Sequence, residues 1–154
     1  MALVDEDRTG VVRVEGAFDG LADLLLAAMG GGAGLEEAKA IARHEGHSEA
    51  AVQGALDGST TAARLARLAQ DVFGTTVPVE VLGIGWLTPD DIAAAHGRGQ
   101  RWRLVARATP WCARVEPVPL AHDHPLRTAA AGTVLVVRGE EGEAVALTAS
   151  VGTP

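Results

Sequence analysis

The chain has 154 residues, enough for one domain with a sizeable hydrophobic core and too few for two ordinary domains. It contains no tyrosine, so a mechanism that needs a tyrosine hydroxyl is excluded, and its single cysteine, Cys112, excludes an intrachain disulfide. The net charge of −7 and the scattered arginines argue against nucleic-acid binding, which needs clustered basic residues.

The N-terminal residues are too acidic for a signal peptide, and no apolar run is long enough to cross a membrane. We therefore expect a cytoplasmic protein with no membrane partner. We also expect a single domain over residues 1–154, with its core at about residues 11–150.

The first half of the chain is predicted to be mainly helical. A short β-branched strand at residues 11–14 precedes it, and the glycine-rich residues 30–34 are predicted to be a flexible linker. Ser59 or Thr60 is expected to cap the clearest helix, and Thr88 caps the last one. Periodic apolar positions predict helices at residues 18–29, 35–44, 59–73 and 89–97.

The second half is predicted to be rich in strands. A strand is predicted at residues 77–84, and Pro78, which cannot donate a ladder hydrogen bond, indicates an edge strand or the start of a strand. The arginines between residues 98 and 107 alternate with apolar residues and are interpreted as a solvated strand face. Further strands are predicted at residues 102–108, 113–120, 133–138 and 144–149, with a hairpin turn at residues 139–142. Together these elements indicate an α+β fold, a largely antiparallel sheet with helices packed on one face.

Five segments, in order and with nearly correct spacing, resemble the catalytic domain of homoserine dehydrogenases. Residues 18–25 are similar to the family's Asn-Gly-Thr-Thr-Asn-Tyr-Ile-Leu, and residues 46–52 to its Gly-Tyr-Ala-Glu-Ala-Asp-Pro. Residues 55–64 resemble its Asp-Val-Asp-Gly-Trp-Asp-Ala-Ala-X-Lys, and residues 81–92 its Val-X-Gly-Ile-X-X-Ile-Thr-X-Glu-Asp-Ile. The fifth match is the segment Pro119–Leu126. The resemblance implies a substrate-binding and dimerisation domain, and therefore an isologous homodimer.

The residues that depart from the family pattern bear most on function. The family's proton-transferring Lys matches Arg64, the Asp one helical turn earlier matches Thr60, and a further substrate-contacting Asp matches Ala55. Because arginine stays protonated, Arg64 is a poor proton shuttle, although it can bind a carboxylate. The segments that build the family's nucleotide-binding domain lie outside the match. We therefore expect no cofactor and no dehydrogenase activity from this chain alone.

Other polar residues complete the candidate site. Glu49 is retained, and the resemblance implies that it holds a substrate amino group; His47 lies two residues before it, in what is interpreted as a pocket loop. The two form an acid/base pair, or His47 simply complements the dipole at a helix end. A metal site that also includes His44 is not expected, because other ligands are missing.

Four residues are candidates for substrate binding: Arg64, Asp57, Thr60 and Asp19. Arg64 is a carboxylate anchor, or it is a solvent-facing residue paired with Asp57 or with a Glu of the preceding loop. Asp19 and Asp23 are most simply explained as complementing a helix dipole. The loop at residues 122–125 is expected to be structural, and Cys112 is expected to be an unactivated thiol.

Two functions follow from these residues. In the first, the domain is a non-redox enzyme of the cyclase, isomerase or lyase type, using Glu49 and His47 on a small amino-acid-like or carbonyl substrate. In the second, it is a non-catalytic dimerisation scaffold, or a small-molecule-binding regulatory partner of a separate oxidoreductase. A split homoserine dehydrogenase ranks third, because loss of the Lys would impair it.

Overall fold

The computed structural model describes residues 10–139 and the backbone of Glu143–Thr148. Within these residues lie five helices and six strands. The helices are α1 (Gly20–Gly30), α2 (Leu35–His44), α3 (Glu49–Asp57), α4 (Ser59–Phe73) and α5 (Pro89–Gly97). The strands are β1 (Val11–Gly16), β2 (Val79–Val81), β3 (Arg101–Ala108), β4 (Ala113–Leu120), β5 (Thr133–Arg138) and β6 (Glu143–Thr148).

The strands form one mixed sheet in the order β2-β4-β3-β1-β5-β6. Every neighbouring pair is antiparallel except β2 and β4, which are parallel. The α+β prediction is confirmed, with one parallel pair in an otherwise antiparallel sheet. β2 is an edge strand as predicted, but it is shorter than the predicted run of residues 77–84. Its chain turns away after Val81, and Gly83 packs directly against the backbone of Leu56.

Alternation along the strands separates the two faces of the sheet. On β3, Leu104 and Ala106 belong to the main core, which the helices cover, whereas Val105 points to the opposite face. There it joins a smaller apolar cluster with Leu126 and Leu135, beneath the segment that links β4 to β5. The predicted placement of helices on one face is thus confirmed. The opposite face is covered only in part.

Local capping explains where several helices begin. Thr88 and Asp91 form a reciprocal capping box at the start of α5, with Pro89 at its first position, as the sequence predicts. The expectation that Ser59 or Thr60 caps α4 is wrong. Its N-cap is Gly58 at φ +82°, a left-handed conformation in which glycine has no steric penalty, while the Asp57 side chain accepts a hydrogen bond from the Ser59 amide.

The glycine-rich segment between α1 and α2 is an ordered turn, which corrects the prediction of a flexible linker. The amide of Gly31 donates to the carbonyls of Ala27 and Ala28, and the amide of Ala33 also donates to Ala28. These bonds satisfy the last carbonyls of α1, as the turns that end helices commonly do.

The predicted solvated arginine face is wrong for Arg103. Its side chain is 1% exposed and pairs with Asp23 of α1, with N–O distances of 3.1 and 2.8 Å. The same guanidinium donates to the carbonyls of Leu126 and Ala129. Asp23 therefore anchors a buried arginine, a role beyond the helix-dipole interaction expected for it. None of the helices in the described residues is long and apolar enough to span a membrane.

Candidate functional site

The turn between β1 and α1 meets the first two turns of α4, and two of the six candidate residues, Asp19 and Arg64, lie at this junction. Asp19 is the N-cap of α1, where its Oδ1 accepts hydrogen bonds from the amides of Leu21 and Ala22 at 3.0 and 3.2 Å. The residue is 7% exposed, and its second oxygen, Oδ2, is buried without a hydrogen-bond partner. A buried carboxylate oxygen of this kind calls for a ligand or an ordered water.

Arg64 reaches this turn from α4. Its Nη1 donates to the carbonyl oxygen of Phe18 at 2.9 Å, and its Nε is buried without a partner. The interpretation of Arg64 as a solvent-facing residue paired with Asp57 is wrong. The guanidinium instead lies partly buried beside the residue that precedes Asp19.

Thr61 was not singled out from the sequence. It is 0% exposed, its Oγ1 has no hydrogen-bond partner, and it lies one turn before Arg64 on the same face of α4. A sequence signal existed, because Thr61 shares the apolar stripe of Leu65 and Leu68 at helical spacing. Asp19, Thr61 and Arg64 together hold every buried side-chain N or O atom that lacks a partner among the described side chains.

Asp57 and Thr60 lie at the joint between α3 and α4. Hydrogen bonds from Ser59 lower the pKa of the exposed Asp57 carboxyl, because they favour its charged form. Thr60 is half-buried, and Gly54 leaves room for its hydroxyl, since a Cβ at Gly54 would overlap the Thr60 Oγ1. Asp57 thus orders the start of α4, and Thr60 packs against α3.

The structure separates His47 and Glu49 from this junction. The sequence interpretation placed both in a pocket loop, but Glu49 is the first residue of α3, a helix that was not predicted, and Ser48 caps it. Glu49 is 76% exposed and pairs with Arg43 at 2.5 Å. His47 and His44 are exposed as well. Among the described residues, no hydrogen bond or ion pair joins this surface group to Arg64.

Two cavities lie elsewhere. One, of about 430 Å³, opens on the sheet face away from the helices, where Val105 and Val118 meet the hairpin residues Trp111 and Cys112. The other, of about 210 Å³, lies between α1, α5 and β3 and includes His96. Neither of these cavities is lined by any of the six candidate residues.

The contacts of His124 and Cys112 give no sign of a catalytic or metal-binding role. His124 Nδ1 accepts a hydrogen bond from the Leu126 amide, consistent with the structural role expected for its loop. Cys112 is exposed in the hairpin between β3 and β4, beside the hydroxyl of Thr109. In residues 10–139, no group of three or more His, Cys, Asp or Glu side chains is arranged to hold a metal ion.

Comparison with known proteins identifies the family. The family model described as homoserine dehydrogenase matches residues 4–151. An NAD(+)-dependent homoserine dehydrogenase from Pseudomonas canavaninivorans is 32% identical over 133 residues, covering 81% of this chain and 38% of that protein. A homoserine dehydrogenase from Mycobacterium leprae (strain TN) is 33% identical over 144 residues, covering 84% of this chain and 33% of that protein. The chain belongs to the homoserine dehydrogenase family.

Solved structures show the same fold. The crystal structure of Staphylococcus aureus homoserine dehydrogenase at pH 6.5 matches 94% of this chain and 39% of its own, with a TM-score of 0.82 and 19% identity. A homoserine dehydrogenase from Thiobacillus denitrificans matches 94% of this chain and 38% of its own, with a TM-score of 0.77 and 21% identity. The chain thus spans between a third and two fifths of the length of the curated relatives it matches.

The described part of this homoserine dehydrogenase family domain contains no phosphate-binding loop of the kind that dinucleotide cofactors use. A dinucleotide phosphate is typically held by a glycine-rich loop between a strand and a helix. The glycine-rich segment here joins two helices, α1 and α2, and its amides are engaged with the carbonyls of α1.

Proposed function

We propose that this homoserine dehydrogenase family domain binds a small amino-acid-like or carbonyl molecule at the junction of α4 with the β1–α1 turn and does not catalyse a dehydrogenase reaction. The observation that carries the proposal is that the unpartnered buried polar atoms of the described side chains all belong to Asp19, Thr61 and Arg64, at the start of α1 and in the first two turns of α4. Buried polar groups are nearly always satisfied, so exceptions on two elements that the Arg64–Phe18 hydrogen bond joins favour a site completed by a ligand.

The same residues argue against the family's redox chemistry. By resemblance, the proton-transferring Lys is replaced by Arg64, which stays protonated and cannot accept the proton of a substrate hydroxyl. Thr60 and Ala55 replace two carboxylates of the family pattern. Binding without proton transfer is therefore the function that these side chains support best.

The alternative of a non-redox enzyme needs His47 and Glu49 to act on one substrate. A general acid or base must come within hydrogen-bond reach of the group that it serves. Glu49 is instead engaged with Arg43 on an exposed surface, and neither residue lines the junction. We therefore favour the regulatory or sensory binding role over the acid/base mechanism.

A thermal-shift screen tests the binding proposal. The panel contains amino acids, hydroxy acids, keto acids and nicotinamide cofactors, because a ligand that binds only the folded state raises the melting temperature. We expect a shift with at least one small acid, which Thr61→Val reduces and Glu49→Gln leaves unchanged. A shift that depends on Glu49 and not on Thr61 would instead favour the enzyme hypothesis, and no shift with any compound would favour a scaffold.

We further propose that the domain forms a homodimer through the partly covered face of the sheet. Charges there are distributed unevenly. Glu15 lies between Arg13 and Arg107, at 2.8 and 3.1 Å, which leaves an excess of positive charge. Arg114 lies between Glu116 and Glu80, at 3.0 and 3.7 Å, which leaves an excess of negative charge at the other side of the face.

A two-fold axis can place the positive group of one copy against the negative group of the other, which supports an isologous pairing. Light scattering after size-exclusion chromatography tests it. We expect a dimer that dissociates in the charge reversals Arg107→Glu and Glu116→Arg, and that is restored in the double variant. A monomeric wild-type chain at 100 µM, about the upper limit of such an assay, would contradict the proposal.

A further inference from the structure

The cavity of about 210 Å³ between α1, α5 and the start of β3 is lined by none of the three junction residues. Its apolar walls are formed by Leu26 on α1, Ile92 on α5 and Trp102 on β3. Leu26 and Ile92 are buried, whereas Ala27 and His96 in the same lining are exposed, so the cavity reaches the surface between the two helices. Sites for drug-sized ligands start at about 300 Å³, so this cavity suits a smaller compound.

Arg101 gives the cavity a positive charge that no described carboxylate neutralises. It is the first residue of β3 and is half-buried, and its Nη1 donates to the carbonyl oxygen of Arg127 at 2.6 Å. Within residues 10–139, this guanidinium forms no ion pair and no other hydrogen bond. Its remaining N–H groups are therefore free to bind a carboxylate. The imidazole of His96 adds a further donor in either protonation state.

Asp23 also lines the cavity, but its negative charge is already matched. Its two oxygens accept hydrogen bonds from Nε and Nη2 of Arg103, at 3.1 and 2.8 Å. With this pair neutral as a whole, the charge of Arg101 makes the lining positive. An ammonium group would find no unpaired carboxylate among the lining residues, and an unpaired charge is costly to remove from water. The lining thus favours a monoanion over a cation or a zwitterion.

We propose that this cavity binds a small apolar monocarboxylate, with its carboxylate on Arg101 and its hydrocarbon chain between α1, α5 and Trp102. The chain is held because the apolar walls remove it from water. The carboxylate is held because a half-buried guanidinium attracts it more strongly than a fully solvated one does. This second site goes beyond the function proposed for the junction and does not depend on it.

The indole N–H resonances of the full chain test the location by NMR. The chain has three tryptophans, of which Trp102 lines the cavity, while Trp111 is exposed in the hairpin between β3 and β4. During titration with 4-methylpentanoate, we expect the Trp102 resonance to move and the Trp111 resonance to stay. An unmoved Trp102 resonance at about 10 mM acid, a concentration that detects millimolar binding, would overturn the proposal.

Two further probes test the ligand class. 4-Methylpentanamide keeps the shape and loses the charge, so we expect it to bind at least about tenfold more weakly, because charge-assisted hydrogen bonds are the stronger ones. Leucine adds an ammonium group to the same acid and should bind no more tightly than the acid, since Asp23 is already paired. Equal binding of the acid and the amide, or tighter binding of leucine, would overturn the proposal.

Ala27→Leu tests the cavity without removing a polar group. Leucine is a good helix former, and its longer side chain extends into the cavity from an exposed position. Binding of 4-methylpentanoate should weaken at least about tenfold, while the melting temperature changes little. Ala93→Leu, at an exposed position of α5 outside the lining, is the matched control and should bind as the wild type does. Wild-type binding by Ala27→Leu would overturn the proposal.

Arg101→Gln tests the charge. It should weaken the acid at least about tenfold and leave the amide unchanged, because only the acid uses the positive charge. Arg98→Gln makes the same change in net charge at an exposed residue outside the lining, and should affect neither probe. Equal losses of acid binding in the two variants would mean that long-range attraction holds the acid, and would overturn the assignment to Arg101.

Discussion

The buried pair between Arg103 and Asp23 predicts a large and specific loss of stability. Arg103→Met removes the positive partner from an ion pair whose arginine is 1% exposed. It also leaves the carbonyls of Leu126 and Ala129 without the donor that holds the β4–β5 segment against the sheet. Removing one partner of a buried pair costs about 3–5 kcal/mol. Asp23 is 18% exposed and can partly rehydrate, so we expect a value near the lower end, about 3 kcal/mol.

Arg107→Met is the matched control on the same strand and the same face. Its pair with Glu15 is half-exposed on the arginine side, so we expect about 1 kcal/mol or less. Urea denaturation followed by circular dichroism gives both free energies of unfolding. Losses that agree within about 1 kcal/mol would refute the reasoning, because burial would then not distinguish the two pairs. The double variant Arg103→Met with Asp23→Leu should recover part of the loss.

Three smaller perturbations test the junction and its supports. Gly83→Ala should lower the melting temperature by several degrees, because its Cβ would overlap the Leu56 carbonyl oxygen. Gly85→Ala is the control, since a Cβ there would lie 3.7 Å from the same oxygen and should leave the melting temperature unchanged. Equal changes in melting temperature would contradict the close packing of Gly83 against Leu56. Hydrogen bonding lowers the folded-state pKa of Asp57, so the carboxylate stabilises the fold above the ordinary pKa of 3.8, and this contribution is lost as pH falls below that value. Asp57→Asn should therefore flatten the fall of the melting temperature with acid. A melting temperature that depends on pH as in the wild type would contradict this role of Asp57. Thr61→Val should leave the unliganded stability within about 1 kcal/mol or raise it, and a larger loss would mean that an internal water satisfies the hydroxyl.

The sequence predicts most of the fold because its signals are local. The Thr88 capping box, the helical period of residues 59–73 and the alternation of the strands each depend on neighbours a few residues apart. α3 was missed for the same reason. Its small and apolar residues around Gly54 give no clear amphipathic stripe, and its packing against α4 stabilises it instead.

The site was less predictable because its contacts are distant in sequence. Alternation places Arg103 on the outer face of β3, and only the covering β4–β5 segment and Asp23, 80 residues away, bury it. Arg64 reaches Phe18 across 46 residues, which no local pattern reveals. The resemblance placed Arg64 and Asp19 among the candidate substrate-binding residues, and the hydrogen bond from Arg64 to Phe18 brings the Arg64 side chain beside the turn that carries Asp19. It could not show that Glu49 lies on an exposed helix start.

The central claim is that ligands enter at the junction of α4 with the β1–α1 turn. Amide chemical-shift mapping by NMR during titration with a compound that the thermal-shift screen selects tests it most directly. We expect chemical-shift changes concentrated at residues 18–22 and 59–64, with little change near Glu49. Shifts concentrated instead around Trp111 and the outer face of β3 and β4, or at His47 and Glu49, would contradict it.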